Sequence, residues 1–577
     1  MAVQTYPEFS TKYNLLLKTI MKRPVDIYPD EIGIVYRNPV SGEYFRFTWQ
    51  EWYDRTCRLA NALLGPLGIS PGKARQPGDR IATMALNHHR HMELYYGVTG
   101  CGAVLHPINV RLSQDHIVHT VNHSQDKILF VDDLFWPLLE SIYDRIKDTV
   151  ESFVYMSDKP GLPETKIGPL YEYEELIQGQ SAQFDWPNFN EDTYATLCYT
   201  TGTTGLPKGV MFTHRQLYLQ TLHVIAAYSF ATDPARVQLG EAAVPMIITP
   251  LFHVHGWGAP FINVFAANKI VLPGMFTVEG FCELVQTEKV TDAAVVPTIL
   301  AMIVEYEDLH KYDLSSLKNL GVGGGALPLG LKKKAEKVIP GFSATSGYGM
   351  TETAPAAIGA FVKKNMLDWP EEKLDEVRVK TGLPVPGLEV KIVDEKGNQV
   401  PNDNETVGEI VIRGPWIMEQ YYNEPEKTAE VWRDGWFHTG DVARVDEDGY
   451  AVIADRISDM IRSGAEMVPT VLLENITATA EFVLEATYVG VPDEKWGQRP
   501  MAMVVLVPGA EKTEKDLLDF LMTEGVDKGK ITKWMLPDYI LITNEIPKTS
   551  VGKFDKITIR KQLDDLLTKA KQIKDLT

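Results

Sequence analysis

The chain has 577 residues, more than one hydrophobic core ordinarily spans, so two or more domains are expected. Hydrophobic content of 44% and charged content of 23% are ordinary for a soluble globular protein, and a net charge of −20 argues against a generic nucleic-acid surface. No secretory signal pattern opens the chain, no apolar run approaches the about 20 residues of a membrane span, and four scattered cysteines (Cys57, Cys101, Cys198, Cys282) without a C-x-x-C suit a reduced, cytoplasmic compartment.

Residues 49–64 carry apolar side chains at helical spacing, with Thr48 and Glu51 placed as a capping box. Residues 80–85 read as a buried strand, 92–98 as helix and 103–105 as strand. Ile117, Val118 and Val121 keep a helical spacing, and 127–131 is the next strand. Such alternation predicts parallel sheets covered by helices. A short apolar run at 195–198 ends another strand. It leads into Tyr199-Thr200-Thr201-Gly202-Thr203-Thr204-Gly205-Leu206-Pro207-Lys208-Gly209-Val210. Backbone N–H groups, hydroxyls, glycines that admit close approach and one lysine make this loop suited to a polyphosphate. It is not the G-x-x-x-x-G-K-[ST] loop, because Pro207 replaces the second glycine. The bland alternative is a surface loop.

Further on, His253 and His255 at i and i+2 leave a metal pair open as a minor alternative, although no matching Cys/His/Asp cluster follows. Residues 390–393, the turn 395–398 and residues 409–412 read as hairpin material, so residues 387–455 form a small barrel-like β part. After Asp455 the pattern resets to an α+β unit: helix 472–480, strands 486–491 and 501–507, helix 514–523. The lysine-rich tail 569–574 reads as a solvated helix end. The fold class is therefore α/β, with a large N-terminal region (1–455) followed by a small α+β domain (456–577).

Five segments occur in one order along nearly the whole chain. They are the loop at 199–210; Tyr348-Gly349-Met350-Thr351-Glu352-Thr353; Gly435-Trp436-Phe437-His438-Thr439-Gly440-Asp441; Asp455-Arg456-Ile457-Ser458-Asp459 with Gly464-Ala465-Glu466; and Pro547-Lys548-Thr549-Ser550-Val551-Gly552-Lys553. Together they resemble the phosphate loop, the Y-G-x-T-E and G-W-x-x-T-G-D segments, the hinge and the C-terminal lysine motif of the adenylate-forming enzymes. Within that superfamily the chain resembles medium- and long-chain fatty-acyl-CoA synthetases.

The resemblance implies that the C-terminal domain is mobile, and it implies ATP, Mg²⁺ and CoA as cofactor and co-substrates, with a small-molecule carboxylic acid as partner. It implies no nucleic acid and leaves a homodimer open. Lys553 would act in adenylation as a lysine near its ordinary pKa, while Lys548 and Lys556 read as solvated charges. Glu352, with Thr200, would hold Mg²⁺, and Thr351 would donate to the α-phosphate. Thr200 to Gly205 and Lys208 would cradle phosphates. Tyr348, Gly349, Gly324, Gly325 and Ala326 would receive adenine, and Asp441 and Arg456 the ribose. His253, Val254, Trp257, Gly323 and Gly347 would line the acyl side, His253 also taking part in catalysis. Gly464, Ala465 and Glu466 would line the CoA tunnel. Ser458 stands where the family usually has Asp or Lys, and Ala465 interrupts the usual Gly-Gly-Glu. From the residues alone, Glu352 also reads as a helix cap, Trp257 as a core anchor, and Cys198 as a small buried core residue. An aryl- or small-acid CoA ligase, or an adenylation enzyme feeding a carrier protein, stays open.

Overall fold

The computed structural model describes residues 13–200, 206–230, 233, 242–457, 459–464, 466–549 and 553–573. A seven-stranded sheet runs in the order Leu170–Glu172, Ser152–Met156, Asp126–Asp132, Arg80–Met84, Val104–Pro107, Tyr194–Thr200, Lys208–Thr213. All of its pairs are parallel except the last, an antiparallel pair with Thr200 opposite Lys208. In a nine-stranded sheet, six neighbouring strands are parallel: Ser343–Gly349, Asn319–Val322, Asp292–Val295, Pro245–Met246, Ile270–Leu272 and Ile32–Arg37. Parallel sheets must be covered on both faces. The helix His89–Gly100 is buried along its whole length and packs on Trp49–Leu64. That second helix begins as the sequence predicts, with both bonds of the Thr48/Glu51 capping box formed.

Residues 387–455 build an antiparallel sheet in which Glu389–Val393 pairs with Val407–Arg413, and Trp436–Val445 continues it. Ala451–Arg456 is its last strand, bringing Arg456 opposite Asp441. From Ile461 onward the chain joins a different sheet, whose centre is the long hairpin of Val483–Asp493 and Gly497–Leu506. Helices Thr470–Thr477 and Glu514–Phe520 pack against it. The lysine-rich tail differs from expectation. The helix Leu563–Lys569 ends there, and Lys571–Gln572 pairs as an edge strand with Tyr539 and Ile540. An open sheet edge supplies hydrogen bonds that a solvated helix end would take from water. Among the described residues no helix is long and apolar enough to cross a membrane.

The parallel strands of the nine-stranded sheet end at Val295, Val322 and Gly349, and the loops beyond carry Val296, Gly323 and Thr351. A crevice outside the carboxyl ends of such strands is where open α/β sheets bind ligands.

Candidate active site

One cavity of about 1110 Å³ opens at those strand ends and draws lining residues from both parallel sheets, the antiparallel sheet and the C-terminal unit. On its phosphate side, Thr200 closes one strand and Lys208 opens the next. Thr201, Gly202, Thr203, Thr204 and Gly205 lie outside the described residues. The Lys208 ammonium stands 4.2 Å over the ring of Tyr421. The Tyr421 hydroxyl donates a 2.7 Å hydrogen bond to Glu352 Oε1. Glu352 is only 4% exposed and sits in the short 3-10 turn Thr351–Thr353, whose neighbour is the strand Tyr194–Thr200. Its carboxylate accepts from Tyr421, and the residue lines the cavity. Thr351, Gly347 and Gly349 also line the cavity. A Cβ at Gly349 would fall 1.6 Å from the carbonyl oxygen of Pro355, so only glycine fits there.

The side expected to receive the nucleotide is organised around Asp441. One of its oxygens accepts a 2.7 Å bond from the Tyr348 hydroxyl, and Arg456 Nε stands 3.1 Å from the other. Asp441 itself is 5% exposed, behind Tyr348, Gly440 and Arg456, which line the cavity. The Gly440 turn is held by Glu409, which accepts from the Gly440 N–H at 3.0 Å and pairs with His438 at 2.7 Å. Gly323 and Gly324 line the cavity, whereas Gly325 and Ala326 are exposed and lie off its lining. Gly324 has φ +75°, the left-handed region that favours glycine.

Lys553 reaches this cavity from the C-terminal unit. The Thr549 N–H donates to the Lys553 carbonyl at 2.7 Å, and the Lys553 N–H donates to Thr549 Oγ1 at 3.2 Å. These bonds project the side chain so that a Cβ at Gly324 would lie 3.4 Å from Lys553 Cε. Here an expectation is corrected. Burial pulls the Lys553 ammonium down to about 8; Arg456 adds to the fall, and Asp441 and Glu352 oppose it. A buried cation loses hydration that the two carboxylates only partly replace. Lys556 is likewise not a solvated charge: it is largely buried, 2.8 Å from Glu474. Lys548 pairs with Glu485 near the surface. Gly464 lies in the turn joining Ile461–Ser463 to Glu466–Val468, off the cavity lining; Ala465 and Ser458 lie outside the described residues.

The side expected to receive the acyl group turns on Val254 to Gly258. All five residues have positive φ: 46°, 58°, 53°, 59° and 79°. A left-handed turn containing Val, His and Trp is costly, about 1–2 kcal/mol per non-glycine residue. It separates the two histidines. His255 is fully buried, its Nε2 2.7 Å from Thr196 Oγ1 and 3.4 Å from the sulfur of Cys198. His253 opens onto the cavity, and burial, Lys553 and Arg111 pull its imidazole down to about 4. The metal-pair alternative fails because the backbone is not a strand and the rings diverge. Cys198 is a buried core residue, as its apolar context predicts. Trp257 is a cavity wall: a Cβ at Gly323 would stand 3.1 Å from its ring.

Sequence reasoning missed Tyr421. The segment around it, Glu419-Gln420-Tyr421-Tyr422, carries no spacing that marks its partners, which lie 69 residues away at Glu352 and on the far side of the loop at Lys208.

Among the described residues, no three His, Cys, Asp or Glu side chains cluster as a metal cage. One buried carboxylate, in the turn that packs on the strand ending at Thr200, nevertheless fits a Mg²⁺ that arrives with phosphate oxygens, since that ion commonly takes one or two carboxylates plus substrate phosphates.

The chain matches the family described as AMP-binding enzyme over residues 21–422, and the AMP-binding enzyme C-terminal domain over residues 472–553. It is 40% identical over 525 residues to a long-chain-fatty-acid–CoA ligase of Thermus thermophilus, covering 90% of this chain and 91% of that protein. It is 36% identical over 530 residues to a 3-methylmercaptopropionyl-CoA ligase of Ruegeria lacuscaerulensis, covering 91% and 94%. Its fold is similar to that of the anthranilate CoA ligase AuaEII in complex with anthranoyl-AMP, with a TM-score of 0.81, 22% identity, and 97% and 98% of the two chains covered. With two thirds of its length on the family pattern, and the family's motif residues Thr200, Glu352, Tyr348 and Lys553 gathered around one cavity, the chain belongs to the AMP-binding enzymes.

Proposed function

We propose that the protein is an ATP-dependent, AMP-forming acyl-CoA synthetase acting on medium- or long-chain fatty acids. The observation that carries this reading is Lys553 inside the cavity that Glu352 and His253 also line. In the first half-reaction a carboxylate oxygen attacks the α-phosphorus of ATP and expels pyrophosphate. In the second the CoA thiolate attacks the acyl carbonyl and expels AMP. Neither step uses a protein nucleophile, so the residues align groups and compensate charge.

In this reading Lys553 bridges the acyl carboxylate and the α-phosphate, and Thr351 donates to the latter. Lys208, Thr200 and the glycines and threonines of 201–205 hold the phosphates. Glu352 and Thr200 hold Mg²⁺, whose charge would offset that of the phosphates. The Tyr348 ring and the Gly323–Gly324 backbone receive adenine, while Asp441 and Arg456 receive the ribose. His253, neutral at pH 7, flanks the acyl carboxylate, and Trp257 borders the acyl channel. Residues 456–577 then turn as a domain about Ser458 on residues 1–455, withdrawing Lys553 and bringing in Gly464, Ala465 and Glu466 for CoA. We place the enzyme in the cytoplasm, acting on small molecules without nucleic acid.

The identity to a 3-methylmercaptopropionyl-CoA ligase favours a second reading, a small-acid CoA ligase. Pyrophosphate release measured over short, long and aryl acids, with and without CoA, separates the two. Fastest CoA-dependent turnover on medium or long straight-chain acids is expected. Adenylation without acyl-CoA formation on every acid would overturn the synthetase reading.

A further inference from the structure

The acyl cavity continues along one face of the strands Asp292–Val295 and Asn319–Val322. Val295 turns away into the core, while Asp292, Ala293 and Ala294 line the cavity. On the neighbouring strand Asn319 lies opposite Asp292 and Gly321 opposite Ala294. From Gly323, beside Trp257, to Asn319 is four residues, or roughly 13 Å at about 3.3 Å per residue. The walls along this path are small or apolar: Ala294, Gly321, Ile299 and Met302.

The far end is not apolar. The Asp292 carboxyl has one oxygen accepting from Thr291 Oγ1 at 2.8 Å, and Thr291 Oγ1 accepts in turn from the Val244 N–H at 2.8 Å. Among the described residues no cation stands beside it, and burial pushes it up to about 6 against the pull of the Thr291 hydroxyl. Asn263, on the helix Ala259–Phe265, also lines the cavity, is 5% exposed, and its Oδ1 has no hydrogen-bond partner among the described residues. Its backbone is tied toward that end: its carbonyl accepts from the Asn268 N–H, and the Asn268 amide donates to the carbonyl of Ala243, two residues before Pro245, which lies opposite Asp292. A plain hydrocarbon chain would cover the Asp292 carboxyl and leave the Asn263 oxygen unpaired, returning nothing to either. Buried polar atoms are ordinarily paired, and this end presents acceptors.

We propose that Asp292 and Asn263 form a polar floor to the acyl cavity that receives a hydroxyl group carried at the far end of the acid's chain. This rests on the synthetase reading above and narrows its substrate class to terminally hydroxylated acids. A hydroxyl suits the site better than an ammonium, because the apolar walls would strip an ammonium of its water along the whole path.

The test is kcat/KM for CoA-dependent pyrophosphate release by the full chain on matched acids, each straight-chain acid against its terminally hydroxylated counterpart, over a series of lengths. At the length that reaches the floor, the hydroxylated acid should be preferred by about 10-fold or more, since a site built to bond a hydroxyl discriminates against its absence. Asp292→Val and Asn263→Leu, made separately, should each erase most of that ratio while KM for ATP holds. Asp292→Ala serves should the valine variant not fold. A preference for the plain acid at every length, or a hydroxyl preference that survives these substitutions, would overturn the floor. A terminal amino acid outrunning the hydroxy acid would overturn the hydroxyl assignment. Brisk turnover of plain acids with no gain from the hydroxyl defeats this inference alone, whereas no CoA-dependent turnover on either series defeats the synthetase reading and the floor with it.

Discussion

The depressed lysine gives the sharpest expectation. Lys553 must be cationic to bridge two anions, and its ammonium lies at about 8 in the open cavity. The folded-site value is lowered, so the active form is present below it and is lost as pH rises through it. One pH unit is a factor of ten in the ratio of forms, so the cationic fraction falls from about 0.9 at pH 7 to about 0.1 at pH 9, roughly tenfold. A lysine left at its ordinary value would stay almost wholly cationic over that range. The assay is the pH profile of kcat/KM for pyrophosphate release, which reports the free enzyme. Thioester formation from supplied acyl-adenylate, followed in parallel, should lack this limb. Bound ATP brings negative charge to the ammonium and raises it, so the alkaline limb of kcat should lie above that of kcat/KM. Lys553→Arg should move the limb beyond the accessible range, because a guanidinium stays protonated. Lys553→Ala should lower adenylation by about 10²–10³ and leave no limb. A kcat/KM profile flat to pH 10 in the native enzyme, or an unchanged limb in Lys553→Ala, would refute the assignment.

Two further outcomes follow from the geometry. Glu352→Gln should raise the Mg²⁺ concentration needed for half-maximal adenylation and cut turnover while circular dichroism stays native, since an amide is a poor ligand for a hard cation; superimposed Mg²⁺ titrations would leave the carboxylate to its bond with Tyr421 alone. Trp257→Ala should shift chain-length preference more than KM for ATP, because the ring borders the acyl channel at Gly323; equal relative rates across a chain-length series would count against a channel role.

Much of the frame was legible because its causes are local. The helix Trp49–Leu64 follows from apolar spacing and from two hydrogen bonds within four residues. The alternation of strands and helices, and the change to antiparallel pairing after Gly387, follow from patterns repeated every few residues. The family motifs carry Thr200, Glu352, Tyr348, Asp441 and Lys553 in recognisable surroundings. Charge state, pairing and depth are not local properties. Tyr348 meets Asp441 across 93 residues and Tyr421 meets Glu352 across 69. Lys553 loses its ordinary pKa only because a distant domain buries it beside Arg456. His253 and His255, two residues apart, part company because the chain between Val254 and Gly258 turns left-handed, which packing imposes against the preference of three of its residues. Asp292 reads in the sequence as one more acid. Its place at the end of a cavity is decided by the register of a nine-stranded sheet drawn from separate stretches of chain, because burial, and with it the strength of every charge and hydrogen bond, is a property of the assembled layers.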